Sequence, residues 1–145
     1  MFSTTTEYAL RALTMLAAQP HGEAILGKVI SRQAEIPGSY VTKVMLALRN
    51  AGIVATARGN HGGYWLVRPA DSVRLIEVVQ VFQGLTPIRR CLLSPGHECC
   101  EAHPCSAHHA WQGLRTEYAN FLERVTLADI SNQPPPERIL GGPTA

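Results

Sequence analysis

Charged residues are scarce in this 145-residue chain, at 17% against 46% hydrophobic, and aromatic residues are scarcer still at 6%. Disordered chains show the opposite balance, so this one is expected to bury a core, and its length suits about one domain. No apolar run approaches the roughly 18 residues of a membrane-spanning helix. Export is not expected either: Glu7 stands where the basic segment of a signal belongs, and Arg11 interrupts the apolar stretch that follows. A cytoplasmic location is therefore expected. Cysteine is absent from the first 90 residues; all four lie between Cys91 and Cys105. In a chain that is not exported, such a cluster points away from structural disulfides and toward metal or redox chemistry. No nucleophile–base motif and no paired-carboxylate signature is present, so no enzymatic activity is expected. Neither repeats nor low-complexity segments occur outside the Pro- and Gly-rich end.

What is present is unevenly spread. Residues 1–74 carry eight Lys and Arg against four Asp and Glu, whereas residues 75–145 carry five against seven. A basic half joined to an acidic half fits a chain of which one part meets a polyanion. Within the basic half, Ala9, Leu10, Leu13, Leu16 and Ala17 recur at helical spacing, predicting a helix over residues 4–18 that ends at Pro20-His21-Gly22. A second helix is predicted over 25–34, with Ile25, Leu26, Val29 and Ile30 on its buried face. A third is predicted over Tyr40–Asn50, with Ser39 as its N-cap, Val41, Val44, Met45 and Leu48 inward and Gly52 as its stop. The short join Ala34-Glu35-Ile36-Pro37-Gly38 suits a helix-turn-helix. The period then changes: Ile53–Ala57 and Tyr64–Val67 flank a glycine-rich tip and read as a β-hairpin. The predicted fold is thus mainly α with a small hairpin wing, a winged helix-turn-helix. A further helix over Leu75–Phe82, capped by Asp71 or Ser72, closes this part at Gly84. Residues 85–104 read as loop. Trp111, Leu114, Tyr118, Phe121, Leu122 and Val125 then form one stripe of a long helix over about 106–128, expected to pack on a second copy. The organisation expected is a DNA-binding domain over 1–84, a cysteine-rich loop over 85–105, a dimerisation helix over 106–131 and a disordered tail over 132–145.

Two sets of residues carry the chemistry. Ser39, Tyr40, Thr42, Lys43 and Arg49 lie on the outward side or at the ends of the third helix, where hydroxyls and cations meet phosphates and base edges. The plainer alternative is a solvated helix face. Arg58 sits at the base of the tip Gly59-Asn60-His61-Gly62-Gly63, close enough to a phosphate backbone or a narrow minor groove. A nucleotide-binding loop is excluded, because no Lys-Ser or Lys-Thr follows these glycines and they lead into a strand. The second set reads Cys91-x7-Cys99-Cys100-x4-Cys105-x2-His108. Thiolates favour iron–sulfur clusters and zinc. Structural zinc sites usually pair ligands two to four residues apart, whereas these longer loops can wrap a bulkier cluster. Zinc, or metal-free thiols that respond by oxidation, stay open on spacing alone.

Laid out in this way, the chain from Phe2 to about Ile130 resembles the winged-helix iron–sulfur transcription regulators of the IscR/NsrR type. The resemblance rests on Thr6-Glu7-Tyr8-Ala9-Leu10-Arg11-Ala12-Leu13, Ser39-Tyr40-Val41-Thr42-Lys43, Arg58-Gly59-Asn60-His61-Gly62-Gly63-Tyr64, three spaced cysteines and Thr126-Leu127-Ala128-Asp129-Ile130. It implies a homodimer with crossing C-terminal helices and the cysteine loop close to the partner's first helix. It implies Cys91, Cys99 and Cys105 as thiolate ligands of an iron–sulfur cluster, the two-iron form ahead of the four-iron form. Cys100 has no counterpart. The fourth ligand is His108 or, from the partner chain, Glu7. Ser39, Tyr40, Thr42 and Lys43 match the family's reading helix and Arg58 its wing arginine, with Lys28 and Arg49 completing the candidate DNA set. Thr42 replaces an acidic residue of the cluster-assembly branch. The function implied is a dimeric regulator of palindromic operator DNA whose affinity follows a cluster that senses redox state, nitric oxide or iron–sulfur status. The alternatives are a zinc or thiol regulator of the same fold, and a metal-binding or electron-transfer module that does not bind DNA.

Overall fold

Ser3 opens the first helix. Its hydroxyl accepts from the Thr6 N–H, and α1 (Thr4–Ala17) follows, burying Ala9, Ala12, Leu13 and Leu16 along one stripe. The computed structural model describes residues 2–84, 89–94 and 96–131 of the chain; the tail expected over 132–145 lies outside them. α2 (Gly27–Gln33) is shorter than its periodicity predicts. Ile25 is drawn instead into an antiparallel bridge with Tyr64, exchanging N–H···O bonds of 2.9 and 2.8 Å, and Leu26 is an exposed N-cap rather than a core residue. After α2 the chain turns through Glu35 in the left-handed region (φ 54°), and the Ser31 hydroxyl donates to the Ile36 carbonyl across that turn.

α3 (Gly38–Asn50) buries Val41, Val44, Met45 and Leu48 as the pattern predicts. It starts two residues early. Pro37 is its N-cap and makes no side-chain capping bond, so Ser39 lies within the first turn instead of capping it. The fixed φ of proline, −54° here, already suits a helix start. β1 (Val54–Ala57) and β2 (Gly63–Leu66) pair antiparallel, Val54 opposite Leu66 and Ala57 opposite Gly63. A short 3₁₀ turn at Ala70–Ser72 leads to α4 (Leu75–Phe82). The predicted cap from Asp71 or Ser72 is not formed. The Glu77 carboxylate accepts from the Arg74 N–H at 2.9 Å and pairs with Arg68 at 2.6 Å, while Ser72 donates back to Pro69.

The single long helix expected over 106–128 is two. α5 (His108–Arg124) stops at Val125, whose backbone is extended (ψ 130°), and α6 (Leu127–Ser131) begins afresh. Two interactions explain the break. The segment around Thr126 pairs with the one around Arg74, Leu75 N–H donating to Val125 O and Leu127 N–H to Val73 O, each at 2.9 Å. Thr126 and Asp129 then cap each other: the carboxylate accepts from the Thr126 N–H and hydroxyl at 2.8 Å, and the Asp129 N–H donates to that hydroxyl oxygen. Leu122 and Leu127 are consequently fully buried in the same core as Leu13, Met45, Leu48 and Val78, while Leu114 and Phe121 face outward. The stripe read as a partner face is therefore divided between the chain's own core and its surface.

Gly63 in the hairpin is required by space as well as by backbone angle, Gly59 by backbone angle alone. A Cβ on Gly63 (φ 126°) would lie 2.4 Å from the Ile25 carbonyl oxygen, whereas at Gly59 (φ 103°) it would meet open space. Gly63→Ala is expected to cost about 3 kcal/mol, combining overpacking with left-handed strain, and Gly59→Ala about 1–2 kcal/mol from strain alone. Thermal unfolding of the two variants checks that order. A second expectation concerns acid. Thr126 holds the Asp129 carboxyl below its ordinary value, through its N–H first and its hydroxyl second. A depressed carboxylate contributes stability above its unfolded value and loses it as pH falls through the folded one. Asp129→Asn should therefore narrow the gap between stability at neutral pH and at acid pH, read from unfolding midpoints across that range.

Candidate DNA interface and cysteine site

A groove of about 790 Å³ runs between α3 and the hairpin. Thr42, Leu46 and Arg49 line it from the helix, and Thr56, Arg58 and Gly59 from the wing. A second hollow of about 490 Å³ continues past the start of α2, lined by Lys28, Ser31, Arg32, Thr42 and Tyr64. The bridge between Ile25 and Tyr64 fixes the hairpin to the residues just before α2, so helix and wing share one concave face. The structure thus gathers Lys28, Thr42, Arg49 and Arg58 around a continuous depression that, with Arg32, carries four cations. Ser39, Tyr40 and Lys43 are exposed at the start of α3, outside both linings. Tyr40 is further engaged within the chain, its ring edge-on to Tyr8 at 5.4 Å with the Lys43 ammonium 5.9 Å from its centroid. Sequence reasoning missed Arg32, Thr56 and Leu46. Arg32 follows Lys28 by four residues and so shares its face of α2. Leu46, 53% exposed between buried Met45 and Leu48, suits an apolar contact such as a thymine methyl group.

The cysteines converge in the segment between α4 and α5. The segment between α4 and α5 is less loop-like than predicted: Arg90 and Glu98 form an antiparallel bridge, with Cys91 N–H donating to His97 O and Cys99 N–H to Arg89 O. Trp111 Nε1–H donates to the Arg90 carbonyl at 2.7 Å, and the Gln112 amide to Glu101, tying this segment onto α5. Cys91, Cys99 and Cys105, each partly buried, and His108, only 4% exposed, line one cavity of about 170 Å³. Cys100, Glu98, His97 and His103 also line it, Cys100 being exposed. Cys91 Sγ lies 3.9 Å from Cys105 Sγ, and Cys99 Sγ lies 3.2 Å from His108 Nδ1. Backbone N–H groups of Leu93 and Ser94 hold the Cys91 thiol below its ordinary value against some burial, helped by Cys105 and the positive charge of Arg115. Glu7 is exposed on α1 and is not part of this lining.

These spacings test the fit of a metal centre. Two thiolates on one tetrahedral metal, at about 2.3 Å each, stand about 3.8 Å apart, and a thiolate and an imidazole nitrogen about 3.5 Å apart. The four donors therefore form two pairs, each near the span of a single metal atom. Among the described residues no three His, Cys, Asp or Glu side chains gather as one ion requires. Soft thiolates in pairs around a shared cavity suit an iron–sulfur cluster.

Comparison with known proteins places the chain. The family described as Rrf2, iron-dependent transcriptional regulator, matches residues 2–133. The chain belongs to the Rrf2 family. An HTH-type relative from Aquifex aeolicus is 31% identical over 134 residues, covering 91% of this chain and 92% of its own. The HTH-type transcriptional regulator IscR of Erwinia tasmaniensis is 30% identical over 126 residues, covering 86% of this chain and 74% of its own. Among solved structures, CymR, the global cysteine regulator of B. subtilis, superposes with a TM-score of 0.75 at 28% identity, covering 90% and 95% of the two chains. IscR of T. potens shares the fold, with a TM-score of 0.69 at 24% identity over 90% and 85%. This Rrf2 chain is thus a winged-helix, DNA-binding transcriptional regulator, and its relatives are regulators rather than enzymes. Among the described residues no helix is long and apolar enough to cross a membrane.

Arg58 is the groove cation carried by the wing. Arg58→Ala should weaken DNA binding by about 1–3 kcal/mol and, where phosphate is the partner, lower the salt slope by about one. Titration of one duplex at several salt concentrations checks this, and unchanged affinity and slope would remove the wing from the interface.

Proposed function

We propose that this Rrf2 chain acts as a homodimeric, sequence-specific regulator whose affinity for a palindromic operator is governed by an iron–sulfur cluster held by Cys91, Cys99, Cys105 and His108. The observation that carries the reading is the pairing of those four donors around one cavity, at 3.9 and 3.2 Å. His108 is preferred to Glu7 as fourth ligand because its buried ring already stands beside Cys99, while the Glu7 carboxylate would have to come from a second chain. The outward-facing Leu114 and Phe121 support a second copy against α5. On the DNA side, Lys28, Ser39, Tyr40, Thr42, Lys43, Arg49 and Arg58 are the contact set, Lys28, Thr42, Arg49 and Arg58 in the groove and the others at the start of α3.

When bound, the cluster supplies a centre that reacts with oxidants or nitric oxide. The protein's own part is mechanical. Trp111 and Gln112 hold the cysteine segment on α5, and Ser3 and Thr6 of α1 donate to Gln83 just after α4. Because α5 packs on α4, whose end α1 touches, a rearranged segment reaches α1 and, through it, the DNA-reading half. A coupling of about 1–3 kcal/mol between cluster and operator changes affinity roughly 5- to 150-fold. A metal-free thiol regulator is the second reading, favoured by the approach of Cys91 and Cys105 to 3.9 Å. A cytoplasmic setting goes with either.

Ligand substitutions separate these readings. After anaerobic isolation, Cys91→Ala, Cys99→Ala and Cys105→Ala should each lose most iron and acid-labile sulfide, because a methyl group cannot replace a thiolate ligand. Cys100→Ala should keep both. His108→Ala should shift the visible absorbance and make the cluster labile, since its imidazole nitrogen is a ligand. A colourless wild-type protein would leave the thiol reading standing. Cluster loss in Cys100→Ala with retention in Cys99→Ala would move the ligand register by one.

A further inference from the structure

α1 carries no residue of the candidate DNA set, yet it reaches the recognition helix through an aromatic contact. The Tyr8 ring meets Tyr40 edge-on, with centroids 5.4 Å apart and planes at 69°. Each ring has a cation above it. The Arg11 guanidinium lies 5.5 Å from the Tyr8 centroid, and the Lys43 ammonium 5.9 Å from that of Tyr40. Arg11 also donates, through long bonds of 3.4 and 3.5 Å, to the Ala34 and Glu35 carbonyls in the turn before α3. Tyr40 and Lys43 are outward residues, three apart on the first turns of α3, and Tyr40 remains 41% exposed. An exposed aromatic has several rotamers, and fixing one costs entropy when DNA binds. Contact with the Tyr8 ring fixes one beforehand, and the Tyr40 ring then confines the Lys43 ammonium.

We propose that Tyr8 is a positioning residue for DNA recognition: it holds the Tyr40 ring, and through that ring the Lys43 ammonium, in the orientation that meets the duplex. The proposal rests on the reading of α3 as the recognition helix. It assigns to α1 a direct part in the DNA-reading surface, separate from any part in cluster binding. Because Tyr8 acts through Tyr40, its value should vanish once Tyr40 is truncated. Because the ring and not the hydroxyl makes the contact, phenylalanine should replace it.

The test is a double-mutant cycle on a duplex selected from a random-sequence pool by the wild-type protein. Tyr8→Ala and Tyr8→Leu should each weaken binding about three- to tenfold, the range of one aromatic pair. Tyr8→Phe should bind as wild type. In a Tyr40→Ala background the further change Tyr8→Ala should have no effect, and iron content should be unaltered throughout. Wild-type affinity in Tyr8→Leu would overturn the proposal, as would a loss of equal size with and without the Tyr40 ring, which marks a purely structural role. Unchanged binding in Tyr40→Ala would overturn it as well. Weakening by Arg58→Ala without weakening by the Tyr8 variants would sink this inference and spare the DNA reading. Failure of the wild-type chain to select any duplex would sink both.

Discussion

The antiparallel bridge between Arg74 and Thr126 is the constraint on which the layout depends. It ties the residue before α4 to the second residue after α5, so those helices return along each other and the cysteine segment joins their far ends. Two hydrogen bonds of 2.9 Å make the tie, and the reciprocal cap of Thr126 and Asp129 turns the chain immediately into α6. Leu122 and Leu127 thereby enter the core built by α1, α3 and α4. Without this closure the cysteine segment would be a tether between two separate units. With it, the segment is joined to the winged helix at a fixed place, which any coupling between the two requires.

α1 is the element through which that coupling would pass. Its first turn donates to Gln83 at the end of α4, its middle carries Tyr8 against Tyr40, and its inward stripe packs on α3. A helix that touches the end of α4, the recognition helix and the core cannot shift in one place alone, because packed interiors transmit displacement. The charge distribution agrees with this division of labour. Lys28, Arg49 and Arg58 rim the depressions between α2, α3 and the wing, whereas the thiols lie in the half of the sequence with excess negative charge.

Local signals were legible in the sequence. The apolar spacing in α1 and α3 predicted their buried faces, glycines and β-branched residues marked the hairpin, and four cysteines crowded with His108 marked the candidate site. Features set by distant partners were not legible. Val125 continues a helical stripe by spacing, yet its carbonyl is claimed by Leu75, fifty residues earlier. Ile25 fits the α2 periodicity, yet Tyr64 draws it into a bridge. Capping went astray in the same way: Pro37 and Glu77 serve where Ser39 and Asp71 or Ser72 offered plausible side chains. Tyr40 looked like a free reading residue, and only the fold reveals the Tyr8 ring beside it. The proposed ligands were named from spacing and resemblance together, but their grouping into two close pairs needed the structure.

The central claim is that the state of the cysteine site sets affinity for DNA. One protein preparation, split anaerobically into a cluster-loaded portion and a portion stripped by chelator, should be titrated with the same selected palindromic duplex at one salt concentration. The account predicts affinities that differ by roughly 5- to 150-fold, with Cys91→Ala behaving like the stripped protein. Equal affinities in the two portions, with both still folded and dimeric, would contradict it.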